Sequence, residues 1–314
     1  ESLRSRFKPE WQMLAEYYDK NSTPDALKKL IASAFKVFIS KNPEHDKRAI
    51  FNKFENYKVA LLKQGYLKKK NNGNIELTPK GKILEMSQGL NPLMLSGMIY
   101  DEKLKGLNID ELCSTLGYLA GSSSQENDEN ISKILDERLS LILGDERDFT
   151  KQKTALEKIQ KNVLDYETKI LRTVMESKVP EYDIMYVDCF SGYAGYLWAH
   201  LNDKNPNSIV NFRKITGTGY NSAFFDAQTP ELRGAIREFL RKSSEGNVYK
   251  VISQVASMLK QIDKICDYAI SNPDEYPNQD YYEELKENCE LAMLLVKQNP
   301  IYDESAVWEL VLTT

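Results

Sequence analysis

From position 62 to 82 the chain reads Leu-Lys-Gln-Gly-Tyr-Leu-Lys-Lys-Lys-Asn-Asn-Gly-Asn-Ile-Glu-Leu-Thr-Pro-Lys-Gly-Lys, and no other stretch limits the fold so tightly. Asn72-Gly73 is a strong hairpin signal, because both residues of a tight two-residue turn need positive φ. Strands are expected over 66–69 and 74–77. Gly65 suits the end of a helix that precedes them. Thr78 as N-cap and Pro79 at the first helical position suit the start of one that follows.

The surrounding sequence is helical in period. Thr23-Pro24-Asp25 opens a helix whose Leu27, Leu30, Ile31, Ala34, Phe35 and Phe38 share one face. Asn42-Pro43-Glu44 breaks it, and a second helix is expected from about 44 to 63 with Ile50, Phe54, Tyr57, Leu61 and Leu62 inward. Beyond Pro92, helices are expected over 92–105, 108–120, 130–143, 151–178, 184–201, 230–242, 247–270 and 280–298. Residues 121–129 read as a solvated loop. The fold class is therefore mainly α: helix, helix, a two-stranded hairpin wing and a helix make a winged-helix unit, and a helical bundle follows.

Several chemistries are excluded on residue content. Forty-two Lys and Arg against 46 Asp and Glu leave a net charge of −4, so nucleic acid would need a local basic patch. No apolar run approaches the ~18–20 residues of a membrane span, so no membrane partner is expected. Cys113, Cys189, Cys266 and Cys289 lie far apart, and neither His45 nor His200 sits beside one. A zinc site is not expected, and reduced, buried thiols indicate an intracellular protein, cytoplasmic or nuclear. Lys80-Gly81-Lys82-Ile83 lacks the upstream glycine and the hydroxyl residue of a phosphate loop. Asp145-Glu146-Arg147-Asp148 imitates an acidic helicase box but follows a run that reads as helix, so it lacks the parallel sheet such a box needs. This chain alone carries no catalytic residue and no cofactor or metal.

Binding chemistry remains. Lys68, Lys69, Lys70, Lys80 and Lys82 concentrate on the hairpin and its flank, where phosphates could be held. Arg233, Arg237 and Arg241 recur every four residues as a basic stripe. Tyr196 and Trp198 are aromatic candidates for stacking on single-stranded bases.

In order along the chain, several segments resemble the C-terminal region of superkiller-like DExH-box RNA helicases. Ser5-Arg6-Phe7-Lys8-Pro9-Glu10-Trp11-Gln12-Met13 is similar to the family's segment leaving its second ATPase lobe. Leu62–Leu67 with Leu77–Lys82 resembles its wing and following helix, and Leu93–Tyr100 the helix that opens its ratchet domain. Tyr196-Leu197-Trp198-Ala199 and Glu245-Gly246-Asn247-Val248-Tyr249-Lys250-Val251 are similar to two further family elements. The short link from Phe38 to Gly65 leaves no place for the arch insertion of exosome-type members. Gly97 stands where the family has a glutamate, and Gln254 where a second arginine often follows Lys250.

The resemblance implies a division into 1–22 leaving an ATPase lobe, 23–90 as winged helix and 91–314 as ratchet domain. It implies that the chain guides single-stranded RNA, or DNA, out of ATPase lobes outside this sequence, with Lys250 and Gln254 facing the strand. ATP and Mg would belong to the parent protein, an ATP-dependent helicase and hydrolase. The alternative is a protein-interaction scaffold with no nucleic-acid role.

Overall fold

The structure, a computed structural model, describes residues 11–20, 29, 42–71, 73–89, 91–120, 146–179, 191–192, 194–196, 199 and 245–297. It is mainly helical with one small antiparallel sheet, as the sequence pattern implies. The elements are α1 (Trp11–Lys20), α2 (Pro43–Lys63), β1 (Leu67–Lys69), β2 (Ile75–Leu77), α3 (Pro79–Met86), α4 (Pro92–Tyr100), α5 (Ile109–Ala120), α6 (Glu146–Glu176), α7 (Glu245–Ile270) and α8 (Gln279–Lys297). The helices expected over 130–143 and 230–242, and most of those expected over 24–41 and 184–201, lie outside the described residues. No helix among the described residues is long and apolar enough to cross a membrane.

The chain divides into two compact units. The first comprises Glu1–Lys103, Tyr166–Met185 and Asp274–Tyr276, and the second Leu104–Asp165, Tyr186–Pro273 and Pro277–Thr314. The boundary expected at 90/91 falls inside the first unit.

In the first unit the local signals work as read. Asn42 caps α2, its Oδ1 accepting from the His45 amide at 3.4 Å, with Pro43 in the first turn. Thr78 caps α3: its Oγ1 accepts from Gly81 N at 3.0 Å and itself lies 2.7 Å from the Gly65 carbonyl oxygen, to which it donates. One threonine thereby starts a helix and ties it to the end of the previous one. Ile50, Phe54, Tyr57 and Leu61 of α2 are buried as the period requires, whereas Leu62 is only partly covered. α1, for which the sequence pattern indicates no helix, packs against α2, α3, α4 and β2, with the Trp11 ring 4.2 Å from that of Tyr57. α4 is buried on every side from Leu93 to Ile99 and ends at Tyr100, not 105, in a turn through Glu102 at φ +54°.

The hairpin differs from its expected form. Leu67 pairs with Leu77, Lys68 with Glu76 and Lys69 with Ile75. Gly73 N donates to Lys70 O at 2.9 Å and Lys70 N to Asn74 O at 2.7 Å. Lys70 and Asn74 thus close the hairpin with three residues between them, and Gly73 is left-handed at φ +82°. A two-residue Asn72-Gly73 turn would have set Lys68 opposite Leu77. The extra loop residue moves the register by one and places Glu76 opposite Lys68 instead.

The second unit is built on α5, α7 and α8, each packed on the other two. Asn108 and Glu111 form a reciprocal capping box at the start of α5: Glu111 N donates to Asn108 Oδ1 at 2.9 Å and Asn108 N to Glu111 Oε2 at 3.1 Å. Leu112 to Ala120 are all buried, and Val251, Ile252, Val255, Leu259, Ile262, Ile265 and Cys266 line the covered face of α7. Cys113, Cys266 and Cys289, one from each helix, are buried in this core, while Cys189 lies outside the described residues. Burial pushes the Cys113 and Cys266 thiols up to about 12 and Cys289 well above the usual thiol range, which keeps them protonated and unreactive.

A tight backbone crossing in the first unit is at Gly81, where an added Cβ would stand 2.2 Å from the Tyr66 carbonyl oxygen and 2.7 Å from Leu77 Cδ1. Backbone cannot yield there as a flexible side chain can. Gly81→Ala should therefore cost about 3 kcal/mol, read as a lower urea midpoint at unchanged m-value; a midpoint equal to wild type would refute this crossing.

Candidate functional site

The hairpin presents Lys68, Lys69 and Lys70, all exposed. Lys68 and Lys70 lie two residues apart on one face, and the register brings Glu76 between them. Lys68 Nζ is 3.0 Å from Glu76 Oε1 and Lys70 Nζ 2.5 Å from Oε2. Hydrogen bonds from Lys70 and then Lys68 hold the Glu76 carboxyl below its usual range. Two of the three positive charges are thus answered locally. Lys69, on the opposite face, has no ion-pair partner among the described residues.

Lys80 and Lys82 do not extend this surface. Lys80 is only 9% exposed. Its Nζ lies 2.9 and 3.1 Å from the two oxygens of Asp101, with the Tyr66 ring 5.1 Å and the Tyr100 ring 5.8 Å away. Burial depresses its ammonium pKa despite the Asp101 carboxylate. The sequence reading of Lys80 as a phosphate contact is corrected by this inward placement: an exposed position was inferred from sequence neighbours, but Asp101, 21 residues on, turns the side chain into the unit. Lys82 is half-buried, 2.5 Å from Glu85 and 3.3 Å from Asp19. Burial lowers its pKa, but the bonds to Glu85 and Asp19 outweigh that and raise it.

On α7, Lys250 is exposed and Gln254 half-buried, its Oε1 enclosed without a hydrogen-bond partner. Among its described side chains the exposed positions of this helix are 250, 253, 257, 260, 264 and 267, the complement of its buried face. They carry Lys250, Ser253, Ser257, Lys260, Lys264 and Asp267. Sequence reasoning missed Lys260 and Lys264, although the three-and-four spacing from Lys250 was the available signal. Gln261 Nε2 lies 3.4 Å from Ser257 Oγ on the edge of this face.

Tyr196 is buried in the second unit, and burial, then Asp110 and Glu111, push its phenol up. Its ring is therefore covered, which corrects its reading as a stacking platform. Trp198, Arg233, Arg237 and Arg241 lie outside the described residues. Among the described residues, no group of three His, Cys, Asp or Glu side chains could hold a metal ion.

Tyr18, Tyr66 and Tyr166 of the first unit share the displacement seen at Tyr196, with burial the largest cause in each. A phenol whose folded pKa is raised contributes stability that is whole below the unfolded value of ~10 and is lost as pH climbs past it. Lys80, with a depressed pKa, has the opposite sign but is one group against four. Above pH ~10 the phenolate band at 295 nm should rise together with the loss of helical circular dichroism. Ionisation of all tyrosines near pH 10 with the helical signal intact would contradict the burial of these phenols.

No protein-family model matches this chain, and no curated protein matches it.

Proposed function

We propose that this chain is the C-terminal nucleic-acid-binding region of a superkiller-like ATP-dependent RNA helicase. In this reading residues 23–90, with α2, the hairpin and α3, are a winged helix, and residues 91–314 are a ratchet domain guiding a single strand away from ATPase lobes outside this sequence. The observation that carries it is the exposed face of α7. Over the 15 residues from Lys250 to Lys264, which at 1.5 Å per residue span roughly 20 Å, the exposed positions offer three lysines and two serines, and the carboxylate that follows them, Asp267, is engaged by Lys286. Ammonium groups supply sequence-independent attraction to phosphates, and serine hydroxyls supply neutral donors beside them. On the hairpin, Lys69 is the cation left over by Glu76. The role is one of holding and positioning, with ATP and Mg acting in the parent protein.

A protein-interaction scaffold is the second reading. Leu291 and Leu294, 42% and 56% exposed and one turn apart on α8, favour it.

Titration of a labelled single-stranded RNA at several salt concentrations tests the first reading. Lys250→Glu, Lys260→Glu and Lys264→Glu together should weaken binding and reduce the salt slope by about 2, at ~0.7 per lost single-strand contact. Glu76→Gln should act oppositely, releasing Lys68 and Lys70 and tightening binding. Unchanged affinity and slope in both variants would overturn the reading and leave the scaffold.

A further inference from the structure

Three donors of the first unit converge on one carboxylate. Lys80 Nζ contacts both Asp101 oxygens at 2.9 and 3.1 Å, the Tyr166 hydroxyl donates to Oδ2 at 2.8 Å, and Lys169 Nζ lies 3.9 Å from the same oxygen. Tyr66 and Tyr100 wall the Lys80 ammonium. The approach of Tyr166 depends on Gly97, where a Cβ would stand 2.2 Å from the Tyr166 oxygen and 2.8 Å from that of Tyr66. Asp101 is delivered by the closing turn of α4: Lys103 N bonds to Met98 O at 2.8 Å and Glu102 N to Ile99 O at 3.2 Å. That motif usually places glycine where Glu102 sits in the left-handed region at φ +54°. The turn that carries Asp101 thus includes a backbone conformation unfavourable for glutamate.

Such a cluster, two ammoniums and a phenol around a half-buried charge, is what an anion receptor requires. We infer that Asp101 is the captive anion of a receptor formed by Lys80, Tyr166 and Lys169, an intramolecular lock that seats residues 166–179 on the first unit and bars outside anions from Lys80. The anion is what the lock needs; the covalent tether supplies it at high effective concentration. The inference stands independently of nucleic-acid binding.

Chemical rescue in the full 314-residue chain tests it. Asp101→Ala should lower Tm, and sodium formate should raise it again by about 5 °C relative to sodium chloride of equal ionic strength, saturating with concentration. The gain should vanish in Asp101→Ala combined with Lys80→Met. Equal Tm in the two salts overturns the proposal. If Asp101→Ala does not fold, the near-isosteric Asp101→Asn decides by mass-spectrometric acylation of lysines. Acylation of Lys80 about tenfold faster than in wild type, with Lys250 unchanged, supports the lock, as expected when a protecting contact opens locally; an unaltered Lys80 rate overturns it.

Discussion

A lysine ammonium held inside the first unit sets the terms for what surrounds it. Desolvating Lys80 is costly, and its presence is tolerated because Asp101 supplies charge and geometry together while two aromatic rings present their faces. Removing one partner of a buried pair typically costs about 3–5 kcal/mol, far more than a surface ion pair contributes. Tyr276 OH adds a 2.8 Å bond to the Pro79 carbonyl, one residue before Lys80, and its ring meets Tyr100 edge-on at 6.5 Å. The first turn of α3 is therefore where four stretches of chain distant in sequence meet: the hairpin flank, the end of α4, residues 166–169 and residues 274–276.

The same interior demand shapes the exterior. Of the lysines concentrated between positions 63 and 82, Lys63 reaches Glu176 at 3.3 Å, Lys68 and Lys70 share Glu76, Lys80 is turned inward and Lys82 holds Asp19 and Glu85. A run of basic residues in sequence thus becomes a nearly balanced surface in space. The exposed face of α7 keeps its charge although carboxylates are near: Asp263 is half-buried, and the exposed Asp267, next on the same face, is engaged by Lys286 at 2.6 Å.

Where physics is local, the sequence was readable. Thr78-Pro79, Asn42-Pro43 and the Asn108 box act over three or four residues, and each opens a helix where its residue types require. The α7 period separated covered from uncovered positions for the same reason. The hairpin was readable as an element but not in register, since Asn72-Gly73 fits both a two- and a three-residue loop. Only the pairing of Lys69 with Ile75 decides between them. Lys80 and Tyr196 were misplaced because burial depends on groups far along the chain. Lysine is seldom buried unless paired, and its pairing residue stands in a turn that the periodic pattern had extended as helix to 105. The α1 helix was missed because its apolar residues follow a basic, aromatic start with no capping signal.

Gly97 shows how such an interior constrains the history of a chain. Two phenol oxygens occupy the volume that any side chain at this position would need, so position 97 and position 166 cannot vary independently. A lineage carrying a larger residue at 97 would first have to lose the Tyr166 ring, and with it a donor to Asp101. Each single step passes through a weakened intermediate while the paired exchange need not, which is epistasis arising from shared space. A glycine is in this sense a position whose replacement waits on a change elsewhere.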